Sequence, residues 1–189
     1  RNVKMKASLL ALSVSLLGLE NALAMQCPGS AAWISHASCE VTVEMAGSCT
    51  EVKNEMLARV DGQYDAWHDP HNNGTYSVIS NGDYLELSRT TANLQYTDKM
   101  DFTFTDGDNT CTIEGCSESQ VTSVADFSTN YCNLRMLYCS SADGCSPVTY
   151  DLTADETSVD PSFGASATAS DCMAMLNGRL RGPRVNAIN

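Results

Sequence analysis

Basic residues are scarce in this chain. It has 11 Lys and Arg against 23 Asp and Glu, only 3 His, and a formal net charge of −12. Nucleic acids and anionic membranes are held by clustered Lys and Arg, so this balance excludes both as partners. A well-solvated acidic surface is the plain reading. Signature motifs are missing too. There is no phosphate-binding loop, no Gly-x-Gly-x-x-Gly fingerprint, no Gly-x-Ser-x-Gly elbow and no Cys-x-x-Cys pair. Nucleotide cofactors and structural zinc lose their usual sequence support. No cofactor is expected. His68-Asp-Pro-His71 has metal-ligand spacing only if a helix carries it, and Pro70 forbids that, so it reads as a surface turn. Asp106-Gly-Asp-Asn109 resembles part of a calcium loop, but the closing bidentate Glu is missing.

Long apolar runs are nearly absent. The exception is Leu9 to Leu19, preceded by Met5-Lys6 and followed by the small-x-small site Ala22-Leu23-Ala24. This is the layout of a secretory signal peptide, with residues 1–4 upstream of its start. It is too short for a membrane span, and no later segment approaches that length. Residues 1–24 are therefore set apart, and a secreted or lumenal protein is expected. Those residues hold Arg1, Lys4 and Lys6 against Glu20, which leaves 8 basic and 22 acidic residues and a net charge of −14.

All nine cysteines follow that leader: Cys27, Cys39, Cys49, Cys111, Cys116, Cys132, Cys139, Cys145 and Cys172. In an exported chain they read as a disulfide framework. An odd number leaves one thiol free or open to an intermolecular bridge. Cys111 and Cys116 lie about 16 Å apart along a strand, and Cys132 and Cys139 about 10 Å apart along a helix. Neither pair meets the roughly 7 Å limit for bridged Cα atoms. Cys139 and Cys145 close if the chain turns at Asp143-Gly144, and Cys172 tethers the tail.

The most informative stretch is Tyr96 to Cys139. Tyr96, Asp98, Met100, Phe102 and Phe104 alternate with polar residues, as in a half-buried strand. Turn residues 106–109 follow, then a second alternating run with Cys111, Ile113, Gly115, Ser117 and Ser119 on one face. A four-residue loop would set Phe104 opposite Cys111, Asp98 opposite Ser117 and Tyr96 opposite Ser119. Asp98 then sits on an apolar face, where a carboxylate must be hydrogen-bonded or line an opening to solvent. Phe127, Tyr131, Leu134 and Tyr138 have helical spacing, with Asp126 or Ser128 as N-cap and Asn130 one turn in.

Tyr96-Thr-Asp-Lys-Met-Asp-Phe-Thr-Phe104, Cys116-Ser-Glu-Ser-Gln-Val121 and Asp126-Phe-Ser-Thr-Asn130 together resemble the core pattern of the domain of unknown function 1499 family. That resemblance covers residues 96–130. Gln120 and Tyr131 stand where the family carries Arg, Lys99 where it carries an acid, and Ser128 where it carries Gly. It therefore implies a fold and a site location but no reaction, and the two missing arginines tell against an anion-binding role.

Elsewhere, Cys39 to Met45 alternates as a strand. Ser48-Cys-Thr-Glu51 is a capping box opening a helix with the apolar stripe Val52, Met56 and Val60, and Glu55 and Arg59 are an i,i+4 pair. Gly62 closes that helix. Thr75–Ser80 and Tyr84–Arg89 form a hairpin around Asn81-Gly82. Asn73-Gly-Thr75 is a glycosylation sequon.

The expected fold is α+β: an antiparallel sheet of about five strands with helices packed on one face, stapled by disulfides. Residues 25–150 form the single domain, 151–178 a poorly ordered Ser/Thr/Asp-rich excursion tethered by Cys172, and 179–189 a disordered basic tail. Three functions are compatible with this. The first is a non-catalytic binding or structural module. The second is a hydrolase using Asp98 or Asp126 as acid or base, with Ser117, Ser119 and Asn130 positioning substrate. The third is a carrier of a small apolar ligand held between sheet and helix.

Overall fold

Six antiparallel strands form one sheet in the order β2-β3-β4-β5-β1-β6 in the computed structural model. They are β1 (Ser38–Ala46), β2 (Thr75–Asn81), β3 (Leu85–Thr90), β4 (Thr97–Asp106), β5 (Thr110–Ser119) and β6 (Ala154–Pro161). Helices α1 (Cys49–Asp61) and α2 (Thr129–Tyr138), a 3-10 turn at Ser141–Asp143 and helical residues 169–173 accompany the sheet. The structure describes Cys27, residues 36–123, 126, 128–162, 164–165 and 167–173. The expected leader, the basic tail and Phe127 lie outside the described residues.

The alternation read from the sequence sets the two faces. Cys39, Val41, Val43 and Met45 of β1, Met100 and Phe102 of β4, and Cys111 and Ile113 of β5 are buried, and with Val52, Met56 and Val60 of α1 they form the core. The register of the β4–β5 hairpin differs from the expectation by two residues. Phe104 pairs with Ile113, Phe102 with Gly115, Met100 with Ser117 and Asp98 with Ser119. Pairing runs on to Asp106 and Cys111, and the Gly107 N–H bonds the Thr110 carbonyl while Asn109 takes φ 61°. The loop is thus shorter than four residues. A two-residue slip preserves the faces, because the side-chain period is two.

The segment expected to be a poorly ordered excursion contains β6, antiparallel to β1. Polar composition concealed it, because an edge strand needs only one buried contact row and takes much of its stability from the backbone ladder. Glu156 of β6 supplies a side-chain anchor. It accepts from the hydroxyls of Tyr131 at 2.8 Å and Tyr138 at 2.6 Å, and pairs with Arg135 at 2.6 Å. Glu55 and Arg59 also do more than brace their helix. Both are buried; Glu55 accepts the N–H groups of Val148, Thr149 and Tyr150, and Arg59 donates to the carbonyls of Met136 and Cys139. This pair fastens α1 to the end of α2 and to the chain leading into β6.

Four cysteine pairs lie at bridging distance: Cys27–Cys116, Cys49–Cys111, Cys132–Cys172 and Cys139–Cys145, with Cα separations of 4.8–5.9 Å. The odd cysteine is Cys39, fully buried in β1, and burial pushes its thiol pKa up. Its position keeps it from bridging to another chain while β1 stays folded. Among the described residues no helix is long and apolar enough to cross a membrane. The disulfides are compatible with an extracellular or lumenal compartment.

Candidate ligand pocket

A concavity of about 430 Å³ opens where the end of β5, the start of β4 and the N-terminus of α2 meet. Its lining includes Asp98, Ser119, Asp126 and Asn130, four of the five residues singled out from the sequence. The β4–β5 register brings Asp98 beside Ser119. The backbone N–H of Ser119 bonds the Ala37 carbonyl, and that of Gln120 bonds Thr97. These bonds close the ladder at the pocket floor.

The N-terminus of α2 lies over that floor. Ser128 holds the N-cap position with φ 66°, without a side-chain bond that caps the helix, and its carbonyl accepts the Cys132 N–H. Asp126 does the capping instead, its carboxylate accepting the Asn130 N–H at 3.1 Å. The Asn130 amide then ties three elements together. Its Nδ2 donates to Asp126 Oδ1 at 2.6 Å and to the Ala37 carbonyl at 3.0 Å, and its Oδ1 accepts from Ser117 Oγ at 2.6 Å. Asn133, one turn further along α2, donates to Asp98 Oδ2 at 2.7 Å. Both carboxylates are therefore buried and held by α2 amides, and neither is in an ion pair among the described residues. Burial holds the Asp126 carboxyl above its usual range against the lowering effect of the Asn130 bonds, and the charge of Asp98 adds to the rise.

Ser117 departs from its expected role. It is fully buried, faces Met100 and not Asp98, and spends its hydroxyl on Asn130. It orients a pocket residue without lining the pocket. Asn133 and Asn72 are the participants that sequence reasoning missed. The signal for Asn133 was its i+3 spacing from Asn130 on one helical face; Asn72, from a distant loop, offered none.

That loop is the second correction. His68-Asp-Pro-His71 is no surface turn, since Asp69 and His71 are buried. Asp69 accepts the N–H groups of His71 and Gly74 and pairs with Arg89 at 2.5 Å. His71 Nδ1 lies 3.1 Å from the Cys172 carbonyl. Burial lowers the pKa of His71, which favours the neutral ring. Arg89 also bonds Asn72. Arg89 is the cross-strand partner of Asp98, yet its Nε and Nη2 are taken by Asp69 and Asn72, and its buried Nη1 has no hydrogen-bond partner among the described residues. Gly74 permits this, since a Cβ there would overlap the guanidinium.

A wall of the pocket comes from the β3–β4 connection. The Thr91 N–H bonds the Tyr96 carbonyl, and Leu94 takes φ 60°. Tyr96 and Val121, 51% and 37% exposed, form an apolar rim. Ser123 Oγ accepts the Ala37 N–H at 2.8 Å and holds the opposite wall to the start of β1. No histidine, lysine or arginine is among the described lining residues. Comparison with known family models, curated proteins and solved structures gives no match for this chain.

Proposed function

We propose that this is an exported, non-catalytic binding module, with the pocket beside Asp98 as its ligand site. The observation that carries the reading is a ligand-sized concavity whose floor bears two buried carboxylates held by α2 amides. Small-molecule sites have this form: a few fixed polar groups in a concavity of roughly 300–1,000 Å³.

The hydrolase reading makes Asp98 or Asp126 the acid or base, with Ser117, Ser119 and Asn130 positioning substrate; against it, Ser117 and Asn130 are bonded to each other and Asp126 is taken up in capping α2. A carrier of a wholly apolar ligand is also disfavoured, because such a ligand would cover Asp98 and Asp126 without pairing them. On the exported reading, Asn73 is a glycan acceptor.

The test is amide chemical-shift mapping with panels of amines, polyols and amino acids, run beside hydrolysis assays on ester, glycoside and phosphate substrates. Binding predicts saturable shifts at Tyr96, Ser119 and Asn130 without turnover. Turnover abolished by Asp98→Asn would replace this reading with the enzyme. Shifts at none of these residues would overturn it.

A further inference from the structure

We propose that the pocket takes an organic ammonium ion, its charged nitrogen against Asp98 and Asp126 and its apolar body under Tyr96 and Val121. This rests on the binding reading above and names the ligand class. Asp98 and Asp126 are the only charged side chains among the described lining residues. Asp98 is 2% exposed, accepts one hydrogen bond at Oδ2 and has no ion pair among the described residues. Ser119 is 7% exposed, lines the same space, and its hydroxyl has no hydrogen bond among the described residues. Buried polar groups in native folds are normally paired, so an acid and a hydroxyl left open toward one cavity point to a donor from outside.

Arg89, across the ladder from Asp98, acts on it through its charge but forms no ion pair with it; its Nε and Nη2 are taken by Asp69 and Asn72. An inorganic ion fits poorly. The one metal-compatible cluster among the described residues is Cys27, Glu40 and Cys116, away from the pocket and already a disulfide. A cavity of about 430 Å³ also far exceeds an ion. A neutral polyol would hydrogen-bond the floor but bring no charge to two neighbouring buried carboxylates that form no ion pair among the described residues. An ammonium supplies donors and charge together. The exposed Tyr96 ring offers its body an aromatic surface.

Tyramine and tyrosol form the matched probe pair, since they differ by an ammonium in place of a hydroxyl. Calorimetric titration of the folded protein with each, and with glucose and calcium, is followed by shift mapping. Tyramine should bind at least tenfold more tightly than tyrosol. Asp98→Asn should abolish that preference, while Tyr96→Ala, at an exposed rim position, should weaken both probes and keep it. Equal affinities, or a tyramine preference that survives Asp98→Asn in folded protein, would overturn the ammonium assignment. If glucose or tyrosol saturates the pocket better than tyramine, the ligand class falls and the binding site stands. If no probe shifts Tyr96, Ser119 or Asn130, the ammonium assignment and the binding site fall together.

Discussion

Asp69→Asn removes the charge opposite Arg89 and keeps the shape of the loop. Both side chains of the pair are 0% exposed. Breaking a buried pair at one partner costs about 3–5 kcal/mol, because the other charge stays buried and uncompensated. Asparagine keeps an acceptor for the Gly74 or His71 N–H, so the lower end, about 3 kcal/mol, applies. In a domain of this size each kcal/mol moves the melting temperature by about 2–4 °C, which gives a fall of about 6–12 °C. Thermal and urea unfolding followed by circular dichroism measure it. Arg89→Met in the same background should recover part of the loss, with a coupling of at least about 1 kcal/mol in the double-mutant cycle. A single-variant cost under about 1 kcal/mol, or strict additivity in the cycle, would refute the claim that Asp69 neutralises Arg89. The same variant frees Arg89 to turn toward its ladder neighbour Asp98, so it should also weaken ammonium binding.

Cys132→Ser with Cys172→Ser opens a bridge of sequence separation 40, and loop-closure entropy sets the cost at about 4 kcal/mol, read as a drop in the urea midpoint. Glu156→Gln should cost about 1–3 kcal/mol and speed amide exchange along β6, since it unpairs Arg135 and weakens two tyrosine bonds. Asp101 is a pH reporter. Burial, helped by the charge of Glu86 across the ladder, raises its carboxyl from 3.8 to about 6. The folded state therefore holds that proton more tightly than the unfolded chain. Its contribution to stability falls as pH rises from about 4 to about 6. Asp101→Asn should raise the melting temperature at pH 7.5 and leave it nearly unchanged at pH 3.5; a rise of equal size at both would contradict the assignment.

Much of the fold was legible because burial period and local chemistry agreed. Ser48 and Glu51 form the capping box as read, and Val52, Met56 and Val60 line the core. Asp98 was conspicuous for the same reason, as a carboxylate on an otherwise apolar strand face. What the sequence concealed depends on long-range pairing. The β4–β5 register turned on one loop geometry. β6 exists because the β1 edge was open and Glu156 meets three α2 side chains, none of which local propensity reports. Asp69 looked like a turn residue because its partner, Arg89, lies 20 residues away. Asn72 reaches the pocket through that same pair.

The most direct measurement sets stability and binding side by side in Asp98→Asn. An amide at this position still accepts from Asn133, so the fold should lose no more than about 1.5 kcal/mol. Tyramine titration of that folded variant should show the charge preference gone. A variant that loses several kcal/mol yet binds tyramine as the parent does would make Asp98 part of the scaffold and contradict the account.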